Sequence, residues 1–175
     1  MNDHSEGIED EQSMIDFLDS QPKRKPPVKK APEDQTWKPR YEEMYRRNFV
    51  KQYPEAFKEH GYIKTPFPDT RKANGLQRAI VNYINWAGYR ATRISTTGRM
   101  IDGRYIPGNT RRGTADVSAT INGRSIMLEV KVGADKPSPE QLAEQAKEQA
   151  AGGQYHFIHS MQEFFVVYDK VCILQ

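Results

Sequence analysis

Cysteine is nearly absent from this chain. Cys172 is the single one among 175 residues, so no internal disulfide and no cysteine-rich zinc site can form. No apolar run approaches the roughly 18 residues expected of a spanning helix. The amino terminus is acidic and lacks the basic start and apolar stretch of a secretory signal. A soluble protein of the reducing cytoplasm, with no membrane partner, is the expectation. Phosphate-binding glycine loops, internal repeats and the nucleophile-base spacings of covalent catalysis are also missing.

Charge is unevenly distributed. Residues 1–20 hold seven Asp or Glu and no Lys or Arg, whereas "PKRKPPVKKAP", Pro22 to Pro32, holds five Lys or Arg and no acid. Such blocks in a polar, Pro-rich context read as disordered, which assigns 1–36 to a tail. The short apolar group "MIDFL" within it offers a contact for a protein partner. Residues 37–72 are rich in aromatics and bases and read as a helical extension, with a helix from about Pro39 to Lys51. Interleaved aromatic and basic side chains suit stacking on bases, although such aromatics more often simply pack onto a domain. Residues 73–175 carry the remaining periodic signals.

The most informative stretch is "GTADVSATINGRSIMLEVKVG". Asn122-Gly123 lies between two aliphatic, β-branched runs and is a strong signal for a two-residue hairpin, because both central positions need positive φ. Pairing Ile121 with Arg124 sets Thr120 opposite Ser125, Val117 opposite Leu128 and Asp116 opposite Glu129. Directly opposed side chains have Cβ atoms about 4.5 to 5.5 Å apart. Period-two alternation then puts Lys131 on the same face as both acids. Ala115, Val117, Ala119 and Ile121, with Ile126, Leu128, Val130 and Val132, occupy the opposite face, and a slip of one residue would bury the charges and expose these aliphatics. Opposed like charges destabilise a hairpin. A hard divalent cation, Mg²⁺ or Mn²⁺, would offset the repulsion, and so, more simply, would Lys131 as counter-ion on a solvated face.

Flanking elements follow similar rules. Leu76, Ile80, Tyr83, Ile84 and Ala87 recur at helical spacing over 75–87, and Gly88 stops the helix. Residues 89–96 alternate as a strand. A Gly-rich basic loop follows, with a tight turn at Asp102-Gly103, and it carries Arg99, Arg111 and Arg112 as candidate phosphate contacts. Lys136 is a fourth. Ser138, Pro139 and Gln141 form a capping box for a helix over 139–151. Gln141, Gln145 and Gln149 share one stripe of it, the latter two reading as plain surface. A strand over 154–159 and a second capping box, Ser160 with Glu163, complete the chain. His156 and His159, three apart on a strand, point to opposite faces and receive no role.

From Asn74 to Leu174 the sequence resembles the PD-(D/E)XK nuclease superfamily, and within it the virus-type replication-repair (VRR-NUC) group. The residues that carry the likeness are "RGTADV" with Asp116, "LEVKVG" with Glu129-Val130-Lys131, "SPEQ" with Gln141, and Gly152-Gly153 before the next strand. The resemblance implies an α/β, restriction-endonuclease-like core in the order α-β-β-β-α-β, with a mixed central sheet flanked by helices. It further implies Mg²⁺ (or Mn²⁺) held by Asp116, Glu129 and the Val130 carbonyl, with Lys131 and Gln141 completing a catalytic set. The family commonly adds a Glu on the first helix, where this chain has Asn74 and Gln77.

The function expected on that basis is a Mg²⁺-dependent endonuclease of structured or branched DNA, working as a homodimer. The alternative is a nuclease-fold protein that binds nucleic acid or a replication partner without cutting. Alanine at Glu129 or Lys131 is expected to abolish cutting while leaving folding largely intact.

Overall fold

A computed structural model of the chain describes residues 35–60, 64–94, 99–106 and 112–173. The acidic and basic blocks of the tail, the "MIDFL" group and Arg111 lie outside them. Among the described residues there are five helices, a four-stranded sheet and a two-stranded one. The helices are α1 (Lys38–Gln52), α2 (Pro54–His60), α3 (Ala73–Trp86), α4 (Pro139–Ala150) and α5 (Met161–Ile173). The strands are β1 (Arg90–Arg93), β2 (Arg99–Ile101), β3 (Arg104–Ile106), β4 (Val117–Ile121), β5 (Arg124–Val130) and β6 (Gln154–Ile158).

The main sheet runs β1-β4-β5-β6, antiparallel except for the parallel β5–β6 pair, which α4 connects. The hairpin has the register the turn dictates, Val117 opposite Leu128 through Ile121 opposite Arg124, with positive φ at both Asn122 and Gly123. Helices α3 and α5 cover one face of this sheet, where Val117, Ala119, Ile121, Ile126, Leu128 and Val130 meet Leu76, Ile80, Tyr83 and Phe164 in the core, and α1 packs on α3. Trp37 and Tyr41 are buried in the same cluster, so these aromatics of the 37–72 segment serve as core.

Local chemistry sets the element ends. After α3, the Gly88 N–H bonds the Asn85 carbonyl and the Tyr89 N–H bonds the Ile84 carbonyl, a Schellman closure that needs the positive φ of Gly88. The Asn85 side chain then clamps both backbone groups of Ala91, at 2.8 and 3.1 Å, and so seats β1 against the helix end. Pro54 separates the two helices of this segment, since the residue before a proline is disfavoured in helix, and it opens α2. The basic loop contains more order than expected, because Asp102-Gly103 closes the β2–β3 hairpin. The second capping box is half formed. Ser160 accepts from the Glu163 N–H, but the Glu163 carboxylate reaches past it to the backbone and ring of His159.

Arg40 ties three helices together. Its guanidinium grips Asp169 with two hydrogen bonds, donates to the Tyr83 hydroxyl at 3.0 Å and lies 4.2 Å from the centre of the Phe165 ring. A lysine cannot reproduce that planar fork. Arg40→Lys is therefore expected to destabilise the fold by about 1 kcal/mol, the pair being partly screened by solvent. The Arg40 hydrogen bonds hold the Asp169 carboxyl below its usual range, so this stabilisation is present above the ordinary Asp pKa and fades on acidification through the depressed one. Chemical denaturation of both proteins at neutral pH and near pH 3 would check both the size and the convergence.

Candidate active site

The β4–β5 ladder ends at Val117–Leu128, one residue before the acids. The cause is Asp116 itself. Its Oδ2 accepts the Val130 N–H at 3.0 Å, replacing a main-chain ladder bond by a side-chain one, while its own carbonyl accepts from Ile94 of the neighbouring strand at 2.7 Å. Asp116 is thus held from both sides, and the register continued by one position places it opposite Glu129. An extended residue turns its N–H and C=O to the same strand edge. The Val130 carbonyl accordingly faces the edge on which Asp116 sits.

Glu129 and Lys131 are not solvated. Each is about 5% exposed, so the charged end of the hairpin's polar face is buried, while Thr120 and Ser125 at the turn end of that face stay exposed. The reason is α4, which lies over this face with Gln141, Glu144, Gln145 and Glu148 turned inward and half-buried while Leu142, Ala143, Ala146 and Ala150 point outward. Ser138 and Gln141 satisfy each other's backbone N–H groups as the capping box requires. The same Gln141 donates its side-chain amide to Glu129 Oε1. Gln145, read from sequence as plain surface, instead donates to the Tyr155 carbonyl at 3.1 Å and fastens the helix to β6. Gln149 is exposed.

Lys131 Nζ lies 3.2 Å from Glu129 Oε1 and 3.4 Å from Asp135 Oδ2, an exposed acid four residues on. Burial pushes the Glu129 carboxyl above its usual range, the adjacent Asp116 charge pushes it further, and Lys131 opposes both. The negative charge of this site is consequently held at a cost to folding, as expected of a binding or catalytic centre.

Tyr155 belongs to the same layer, although no signal in the sequence set it apart from an ordinary strand residue. Its hydroxyl donates to the Gly113 carbonyl at 3.1 Å, and burial, then the charges of Glu129 and Asp116, hold the phenol well above its usual range. Gly113 has φ of +81°, and a Cβ there would meet the Glu140 carbonyl at 2.4 Å. The turn leading into Asp116 thus packs directly on the first turn of α4.

The remaining candidates are dispersed. Arg112 and Lys136 are exposed beside the site, Arg112 near enough to Glu140 to help hold that carboxyl down behind the larger effects of its own N–H and Ser138. Arg99 begins β2, at a distance in sequence from the acids. His156 is half-buried beside Gln154, and His159 pairs with Glu163 at 2.9 Å, apart from the carboxylates.

Among the described residues no three His, Cys, Asp or Glu side chains gather into a metal-holding group. The donor set is a pair of carboxylates plus a main-chain carbonyl. That fits Mg²⁺, which is usually held through one or two carboxylates with water in its other positions, and both acids are braced by N–H donors, as ligating carboxylates generally are. No protein-family profile, curated protein or solved structure matches the chain.

Burial changes what alanine can test here. Lys131→Ala would leave Glu129 beside Asp116 without its buried cation, an expected loss of about 3 to 5 kcal/mol near neutral pH. The Glu129 pKa is already raised, and it would rise further. A group with a raised pKa is relieved by protonation, so the deficit should shrink as pH falls through that pKa. Melting temperatures of wild type and variant across pH 5 to 8 would check this. Gly113→Ala, which meets both positive φ and backbone, should lower stability by about 3 kcal/mol or more in the same measurement.

Proposed function

We propose that the chain is a Mg²⁺- or Mn²⁺-dependent endonuclease that hydrolyses phosphodiester bonds in DNA, preferentially structured or branched DNA, on a restriction-endonuclease-like PD-(D/E)XK core of the VRR-NUC kind. The observation that carries this reading is a single cluster. Asp116 and Glu129 lie across from each other where β4 begins and β5 ends, Lys131 is 3.2 Å from Glu129, and Gln141 bonds the same carboxylate. With the β2–β3 hairpin taken as an insertion between β1 and β4, the order α3, β1, β4, β5, α4, β6 is compatible with the family's α-β-β-β-α-β arrangement.

Asp116, Glu129 and the Val130 carbonyl would hold the ion. When bound, it supplies Lewis acidity toward the scissile phosphate and a water more acidic than bulk water. The chain's own groups do the rest. Lys131, fixed between two carboxylates, presents its ammonium where negative charge grows as phosphorus becomes five-coordinate. Gln141 fixes the Glu129 carboxylate in one rotamer. Tyr155, through Gly113, keeps the turn before Asp116 seated on α4. Arg112, Arg99 and Lys136, with Arg111, are assigned to the DNA backbone, and two copies of the chain would address two strands.

One observation favours the non-cutting alternative. The first turns of α3 offer amides, Asn74 and Gln77, both engaged with Arg93, where the resembled family has an acid. The test is cleavage of four-way junction, flap, nicked, linear and single-stranded DNA with Mg²⁺, Mn²⁺ or EDTA. Glu129→Gln and Asp116→Asn, which keep shape, should lower cutting by on the order of a hundredfold or more, and Gln141→Ala by about tenfold. Protonated Glu129 is no ligand, so activity should fall with pH through its raised pKa, above the ordinary Glu value. Cutting that persists in EDTA removes the ion from the reaction, and wild-type protein that binds junctions without cutting selects the alternative.

A further inference from the structure

One end of the sheet collects the chemistry. The carboxyl ends of β1 and β5 lie there, with the start of β4 between them, because β4 is antiparallel to both. The first turns of α3 and α4 are joined to the same end, Gln141 by its bond to Glu129, and Asn74 and Gln77 by theirs to Arg93. Ligands of α/β sheets gather outside carboxyl strand ends.

Arg93 is the last residue of β1 and pairs with Val117, while the next residue, Ile94, bonds the Asp116 carbonyl. Arg93 is therefore one strand away from the first acid and at the same end of the sheet, on the α3 face that its partner Val117 shares, across the sheet end from the α4 face of Glu129 and Lys131. Arg93 Nη2 donates to Asn74 Oδ1 at 2.7 Å and to Gln77 Oε1, and Gln77 is itself only 7% exposed. Both acceptors are neutral. Among the described residues no carboxylate lies within ion-pair distance of Arg93, and three of its five N–H donors have no partner. The side chain is exposed.

We propose that Arg93 is a phosphate-binding residue of the nucleic-acid site, aimed by Asn74 and Gln77, so that an amide-held cation stands where the resembled family places an acid. The inference rests on the nuclease reading for the identity of its ligand, a phosphodiester backbone, but not on cleavage. Two amides constrain the guanidinium without neutralising it, which leaves a full positive charge and three directed donors at the sheet end where Asp116 lies. A carboxylate in either position would pair with the arginine and compete with phosphate for it.

The test measures binding of a short fluorescein-labelled DNA duplex and of a labelled four-way junction by anisotropy, in EDTA and again with Ca²⁺, over a range of salt. Arg93→Gln should weaken both by about tenfold, the loss of one charge-assisted hydrogen bond, and lower the slope of log affinity against log salt by about 1. Arg93→Lys should recover part of the affinity and all of the slope. Asn74→Ala combined with Gln77→Leu removes no charge, and should weaken binding while keeping the slope. Arg90→Gln, on the same strand but at the opposite end, serves as the equal-charge control and should change affinity less than twofold. If Arg93→Gln behaves like Arg90→Gln, the assignment falls while the nuclease reading stands. If wild type binds neither DNA, both fall. If Arg93→Gln binds weakly as stated and wild type still cuts nothing, the binding role holds and the nuclease reading fails.

Discussion

Two carboxylates forced together at the end of a hairpin are the constraint around which this chain is arranged. Asn122-Gly123 allows only one register, that register opposes Asp116 to Glu129, and repulsion between them then has to be met by other groups. Each nearby feature answers part of that demand. Val130 gives its N–H to one acid, Gln141 gives an amide to the other, and Lys131 places an ammonium against the more buried of the two. Together they leave the Glu129 carboxyl raised, not neutral in effect. A centre that keeps unfavourable charge after so much bracing is suited to binding a cation or acting on an anionic substrate.

The sheet separates two kinds of interior. On one face, α3 and α5, with α1 packed on α3, bury aliphatic and aromatic side chains in a conventional core, with Arg40 as a charged clamp at its rim. On the other, α4 buries amides and carboxylates and exposes its leucine and alanines, the reverse of an amphipathic surface helix. That inversion has a physical reason. A helix laid over Glu129, Lys131 and the Tyr155 carbonyl must bring hydrogen-bonding groups to them, because unpartnered polar groups are costly in a dry layer. The apolar core lies on the first face, and the buried carboxylates, amides and lysine lie on the second.

Much of this was legible in the residues. The hairpin and its register, the helices over α1 and α3, the Gly88 stop and the Ser138-Gln141 cap are local matters, decided within a turn or two of chain. The reading shifted where a non-local group intervened, as where the Asp116 side chain took over a ladder bond at the start of β4, or where the Tyr155 carbonyl drew Gln145 inward. The β2–β3 strands were read as loop because only their turn, Asp102-Gly103, carries a strong short-range signal.

By itself, then, the sequence determined which side chains share a strand face and where helices begin, because alternation, capping and glycine conformations act between near neighbours. Only the tertiary structure decided that the charged face is covered, that Tyr155 reaches Gly113, and that Arg93 is held by two amides of α3. Burial and partner choice depend on which distant helix is laid over the sheet, and that is set by the sum of many weak packing contacts that no single stretch of chain encodes.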